Sequence, residues 1–266
     1  MKDMTKLADK IVAWLKNYAV TNNRKTFVVG VSGGVDSALV STLCAMTGLQ
    51  THCVVLPCQS KQDGLNNASK HIQWLRSKFS ATNNVYGVVV DLTPVFESFV
   101  KSFEGRYPSP LGWANTKSRL RMTALYQIAT PSEGLVVGTG NKIEDYKIFF
   151  YTKYGDGAVD IAPIADLTKS EVRKMCRDLG VLLDLSEAIP TDGLWEDGRT
   201  DEVAIGATYE ELEQIVELLE KNNEHLHLSI VNNMTPRQRE VLEVYNRWHL
   251  RGMHKSLPIP TFKRIS

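Results

Sequence analysis

Residues Gly30-Val31-Ser32-Gly33-Gly34-Val35-Asp36-Ser37 combine glycines, hydroxyls and one carboxylate in a single short loop. Gly33 and Gly34 lack Cβ atoms, so the backbone there is free to approach a ligand closely. The loop follows the apolar run Thr26-Phe27-Val28-Val29 and precedes Ser37–Met46, whose apolar residues recur at helical spacing. A strand that ends over a helix N-terminus presents free N–H groups and the positive end of a dipole, which together favour an anion. Ser32 and Ser37 add hydroxyl donors, and Asp36 adds a carboxylate suited to a divalent cation. The chemistry is that of phosphate binding. No Lys-Ser or Lys-Thr follows the second glycine, so this is not the mononucleotide P-loop, and the glycine spacing is not that of the dinucleotide fingerprint.

The elements that must hold such a loop are legible along the chain. Met4, Leu7, Ala8, Ile11, Val12, Leu15 and Ala19 predict an opening amphipathic helix. Strands are predicted at Gln50–Leu56, Val85–Val90 and Leu135–Gly138, and helices at Leu65–Phe79, Pro94–Phe103 and Asn115–Thr130. This alternation predicts an α/β fold: a Rossmann-like, doubly wound parallel sheet with helices on both faces. Ligands of such sheets collect at the carboxyl ends of strands, where both the glycine loop and Gly138-Thr139-Gly140-Asn141 fall. The last third is predicted to be helical, with helices at Lys169–Leu179, Tyr209–Leu219 and from Thr235-Pro236 to about Trp248. The acid- and glycine-rich stretch Thr191–Thr200 reads as a loop that could act as a lid.

Composition excludes several classes. A net charge of +1 over 266 residues offers no global field for nucleic acid or membrane. No apolar run approaches the roughly 20 residues of a bilayer span, and the N-terminus is not a signal peptide. Cys44, Cys53, Cys58 and Cys176 show no metal-binding spacing and read as reduced thiols of a cytoplasmic protein.

The octet resembles the pyrophosphatase loop of the N-type ATP pyrophosphatases. Further segments extend the resemblance: Gly138-Thr139, Glu144, Phe149–Gly157 with Lys153, Asp160, Leu167-Thr168-Lys169, Pro190-Thr191-Asp192, Thr200-Asp201-Glu202 and His254-Lys255. Taken in order they resemble the ammonia-dependent NAD synthetases over nearly the whole chain. The resemblance implies that ATP adenylates the nicotinate carboxylate of deamido-NAD, and that ammonia then displaces AMP to give NAD. It implies ATP contacts from Gly30, Val31, Ser32, Gly33, Gly34, Val35, Asp36, Ser37, Thr139, Lys169 and Thr191. Asp36 and Glu144 match the two Mg²⁺-binding carboxylates, and Arg119, Lys153, Asp160, His254 and Lys255 match contacts to deamido-NAD. It assigns no general acid or base, since ammonia enters as neutral NH₃. It further implies one synthetase domain over residues 1–266, no glutaminase domain, and a homodimer.

Two departures stand out. The segment Phe150-Tyr151-Thr152-Lys153 carries one extra residue, Tyr151, which predicts a bulge there. Val55 and Lys61 stand where relatives have an arginine and a glutamine at the adenosine end of ATP. A tRNA-modifying ligase or a GMP synthetase fragment would share the loop, but the former calls for a basic stripe or an RNA-binding domain. A sulfur-transferring relative would show paired active-site cysteines. A nucleotide sensor without turnover would not need Asp36, Glu144, Lys153 and Lys169 together.

Overall fold

The computed structural model describes residues 4–182, 200–223 and 227–264. Four strands form one parallel sheet: β1 (Thr26–Gly30), β2 (Gln50–Val55), β3 (Val85–Val89) and β4 (Gly134–Val137), in the order β3-β2-β1-β4. Phe27, Val28 and Val29 are fully buried, as a central strand covered on both faces requires. The strand order reverses between β1 and β4, so the switch point lies beside the end of β1.

Helices cover both faces. α1 (Met4–Thr21), α2 (Val35–Met46) and α6 (Lys169–Asp178) share one core with Phe27, Val29, Leu135 and Val137. Against the other face pack α4 (Thr93–Lys101) and α5 (Pro110–Ala129), around Val28, Val54 and Val136. α3 (Gln62–Lys78) closes a smaller cluster over β2 and β3. The C-terminal helices Tyr209–Lys221 and Pro236–Gly252 build a separate apolar cluster with Ile143 and Ile148. Capping boxes open both: Thr208 with Glu211, and Thr235 with Gln238. Among the described helices, none is long and apolar enough to cross a membrane.

The predicted elements are present, with shifted ends. α5 begins at Pro110, five residues before the expected Asn115, because Ser109 accepts a hydrogen bond from the Gly112 amide and Pro110 fits the first turn. Two short helices, Asp201–Ile205 and Leu228–Asn233, have too few turns to show a period in the sequence. At Tyr151, where the extra residue is expected, the backbone bends and Tyr151 O accepts from Lys255 Nζ (2.7 Å). Lys142–Lys147 forms a π-turn, closed by the Ile148 amide donating to Ile143 O (3.0 Å). The expected loop at 191–200 lies, up to residue 199, outside the described residues.

His71 of α3 is wholly buried against α2. Ser41 Oγ donates to Ser37 O (2.7 Å), so His71 Nε2 donates in its 2.9 Å contact with Ser41 Oγ. Burial pushes its pKa down to about 4. The unfolded histidine, near 6.5, therefore binds the proton first, and stability present above pH 6.5 is lost as the pH falls through 4. Urea denaturation is expected to show about 2 kcal/mol lost between pH 8 and 5, less in His71→Gln. An unchanged slope in the variant would locate the acid sensitivity elsewhere.

Candidate active site

The glycine loop joins β1 to α2 at the switch point. Gly33 has φ +89°, and a Cβ there would lie 2.3 Å from Gly64 O of α3. The packing of α3 on the loop and the positive φ thus each call for glycine at this position. At Gly34 a Cβ would meet only Ser32 Oγ, at 3.4 Å, so the loop leaves that side open. The two serines hold the loop's shape. Ser37 Oγ donates to Gly34 O (3.0 Å) and accepts from the Ser32 amide (3.2 Å), and Ser32 Oγ accepts from the Gly34 amide (3.2 Å). Their hydroxyls are engaged by the loop itself, while no side chain caps the N-terminus of α2.

Asp36 stands in the first turn of α2, and Glu144 in the π-turn after β4. They come from opposite sides of the switch point and meet at one cation. Lys169 Nζ, at the start of α6, lies 2.5 Å from Asp36 Oδ2 and 2.9 Å from Glu144 Oε1. Lys169 is only 3% exposed. Burial opposes its charge, but the two carboxylates outweigh that cost and hold it protonated beyond the ordinary lysine range. Burial pushes Glu144 up, yet Lys169 and the Tyr209 phenol pull it below the usual carboxylate range. Asp36 sits above its ordinary value, since burial together with the Glu144 charge outweighs Lys169.

Asn141, which ends the predicted strand-end segment Gly138–Asn141, and Tyr209, which has no assigned role in the sequence, complete this cluster. Asn141 is fully buried; its Oδ1 accepts from the Ile143 and Glu144 amides (3.1 Å each), and its Nδ2 donates to Asp36 Oδ1 (3.2 Å). An Asn preceding an acidic turn is a capping signal, so this position was open to discovery. The Tyr209 phenol donates to Glu144 Oε1, and Asp201 Oδ2 lies 3.5 Å away. Burial and those carboxylates push its pKa far up, so it remains a donor. No local pattern marks Tyr209. Asp145 faces the same centre: a Cβ on Gly140 would come within 1.8 Å of its carboxylate. Burial and the acids Asp156, Glu144 and Asp36 push its carboxyl well above the usual range.

The remaining candidates gather on the segment after the π-turn. Arg119 of α5 donates from Nε and Nη2 to Lys153 O (3.3 Å). Lys153 Nζ donates to His254 O (3.2 Å), and Lys255 Nζ to Phe149 O (2.8 Å) and Tyr151 O (2.7 Å). Ser118 Oγ donates to Asp156 Oδ1 (2.6 Å), fixing the turn from α5. Phe149 holds φ +54°, a strained value for a bulky residue, and Gly252 permits it, since a Cβ there would lie 2.4 Å from Phe149 Cβ. Asp160 accepts from the Val136 amide (2.7 Å) and the Tyr126 phenol (3.1 Å). A cavity of about 370 Å³ is lined by Tyr126, Tyr151, Lys153, Val159, Lys255 and Leu257. A larger hollow of about 480 Å³ opens at the opposite end of the sheet, at Lys25, Gln50 and Glu133, and no candidate site residue borders it.

Thr139 follows β4 and is half-buried; Thr191 lies outside the described residues. Of the two positions that depart from the expected pattern, Val55 ends β2 with its side chain buried and Lys61 is exposed. An arginine reaches this loop from elsewhere: Arg121 of α5 donates to Leu56 O (3.1 Å) and Ser60 Oγ (3.2 Å).

Comparison with known proteins gives concordant results. The family model described as NAD synthase matches residues 7–258. An NH₃-dependent NAD⁺ synthetase of Carboxydothermus hydrogenoformans is 37% identical over 209 residues, covering 77% of this chain and 82% of that protein. One from Sulfolobus acidocaldarius is 31% identical over 260 residues, covering 97% and 88%. Among solved structures, an NMN synthetase from Francisella tularensis superposes with a TM-score of 0.84 at 29% identity, covering 99% of this chain and all of that one.

Proposed function

The chain belongs to the NAD synthase family, and on that premise we propose how its site performs the ATP-dependent amidation of deamido-NAD with ammonia. The products are NAD, AMP and pyrophosphate, in the last step of NAD biosynthesis. The observation that carries the reading is the convergence of Asp36 and Glu144 on one cation beside the glycine loop. A carboxylate is a poor electrophile. Its oxygen attacks the α-phosphorus of ATP and pyrophosphate leaves; ammonia then attacks the acyl carbon and AMP leaves with that oxygen.

The loop Gly30–Ser37 would take the ATP phosphates at the open N-terminus of α2. Asp36 and Glu144 are hard oxygen donors already gathered around a positive charge, and they fit Mg²⁺. When bound, that ion would offset the charge that builds on pyrophosphate. Lys169 would turn from the carboxylates to a phosphate oxygen. Lys153, Lys255 and Arg119 surround the cavity side of the site, where the anionic second substrate would lie. Asp160, its carboxylate held by Val136 and Tyr126, would border the same substrate, with His254 beside it. A homodimer is part of this reading: Val89, Val95, Phe99 and Leu111 are exposed on neighbouring elements β3, α4 and α5. We place the protein in the cytoplasm; its four described cysteines are free and buried.

The test is a product assay with ATP, Mg²⁺, deamido-NAD and ammonium. NAD, AMP and pyrophosphate are expected in equal amounts, and glutamine in place of ammonium is expected to give none. ADP and phosphate as products would refute the reading. A second reading has a specific observation behind it: the Francisella tularensis structure is of an NMN synthetase and matches this chain end to end. Nicotinate mononucleotide carries the same pyridine carboxylate on a smaller body. Assayed side by side, a higher kcat/KM with the mononucleotide would favour that substrate, and a higher value with deamido-NAD would exclude it as the preferred one.

A further inference from the structure

Glu144 is presented by a π-turn, a wide and uncommon backbone ring, and not by a regular helix. Two donors meet on its Oε1: Lys169 Nζ, at 2.9 Å, and the Tyr209 phenol. They differ in permanence. A lysine ammonium ends a flexible stem and is drawn to phosphate when ATP is present. The tyrosine is held on several sides. It is fully buried, at the first position of helix Tyr209–Lys221, and its amide donates to Glu202 Oε1 (3.0 Å). Thr208 and Glu211 cap that helix from both sides. The ring also lies under Lys169, whose Nζ is 4.8 Å from its centroid.

We infer that Tyr209 is a positioning residue: its phenol holds Oε1 of Glu144 and thereby fixes the orientation in which this carboxylate would meet the divalent cation. The inference rests on the reading of Asp36 and Glu144 as metal ligands. It gives the C-terminal helices a part in the chemistry. The helix that carries Tyr209 shares one apolar cluster with the π-turn residues Ile143 and Ile148, and the phenol is the link from that cluster to the carboxylate at the switch point. Outer partners of metal-binding carboxylates commonly change metal affinity by about 10–100-fold when removed.

The experiment measures Mn²⁺ binding by electron paramagnetic resonance, on the full chain with a non-hydrolysable ATP analogue. Three variants are compared with wild type: Tyr209→Phe, Asp36→Asn, and Leu212→Ala, a buried change in the same helix at an apolar side chain that can give Glu144 no hydrogen bond. Tyr209→Phe is expected to weaken Mn²⁺ binding about 10-fold or more, with the Mg²⁺ activation constant rising in parallel and kcat recovering at high Mg²⁺. Leu212→Ala is expected to lower Tm and leave the Mn²⁺ constant in place. If Asp36→Asn weakens Mn²⁺ binding and Tyr209→Phe does not, the inference is overturned while the metal reading stands. Equal weakening by Leu212→Ala would also overturn it, because loss of stability would then explain the effect. If Asp36→Asn leaves Mn²⁺ binding untouched, the metal reading fails and the inference falls with it.

Discussion

Asp36→Ala and Glu144→Ala are each expected to cut turnover on the order of 10²–10³-fold, with the chain still folded. The size follows from charge. Both reactants of the adenylation step are anions, and pyrophosphate gains charge as it leaves, so the site must supply positive charge held in place. Asp36 and Glu144, which meet at Lys169, are the carboxylates proposed to gather it. Folding survives because either truncation leaves Lys169 paired with the remaining acid. Steady-state rates at saturating Mg²⁺, with circular dichroism as the folding check, decide the matter. Wild-type turnover in either variant would remove the metal assignment.

Lys169→Met is expected to be the most destabilising single change in the site. Removing it leaves two neighbouring, largely buried carboxylates without their cation. Breaking a buried pair in this way costs about 3–5 kcal/mol, or a fall in Tm on the order of 10 °C for a chain of this size. The loss is expected to shrink when Mg²⁺ and ATP are added, because the added cation replaces the missing one. Thermal melts with and without Mg²⁺–ATP measure both effects. A Tm unchanged in the absence of ligand would show that the acids do not depend on Lys169, and an equal deficit in both conditions would show that the added cation does not reach them.

The parts of this arrangement that were legible in the sequence are the local ones. The octet reads directly because strand, glycines, hydroxyls and helix start lie within a few residues of each other, and the βα rhythm placed it at a strand end. At Gly33 the spacing marks the glycine, while the proximity of Gly64 O depends on how α3 packs and has no local signature. The meeting of Asp36, Glu144 and Lys169 has no local signature. It follows from the strand order, which brings the end of β4 beside that of β1, and from α6 packing on α2. Tyr209 is further removed, reaching the site through a cluster that the first half of the chain does not announce. The π-turn that presents Glu144 is not legible either, because a single wide turn is too short to leave a period in the sequence.

The central claim is that the adenylyl group moves onto the pyridine carboxylate before nitrogen enters. Its most direct measurement uses deamido-NAD with heavy oxygen in the nicotinate carboxylate, incubated with ATP, Mg²⁺ and ammonium. Mass spectrometry is expected to find one labelled oxygen in AMP and the other in the amide of NAD. Label in phosphate or pyrophosphate, or AMP free of label while NAD accumulates, would contradict the account.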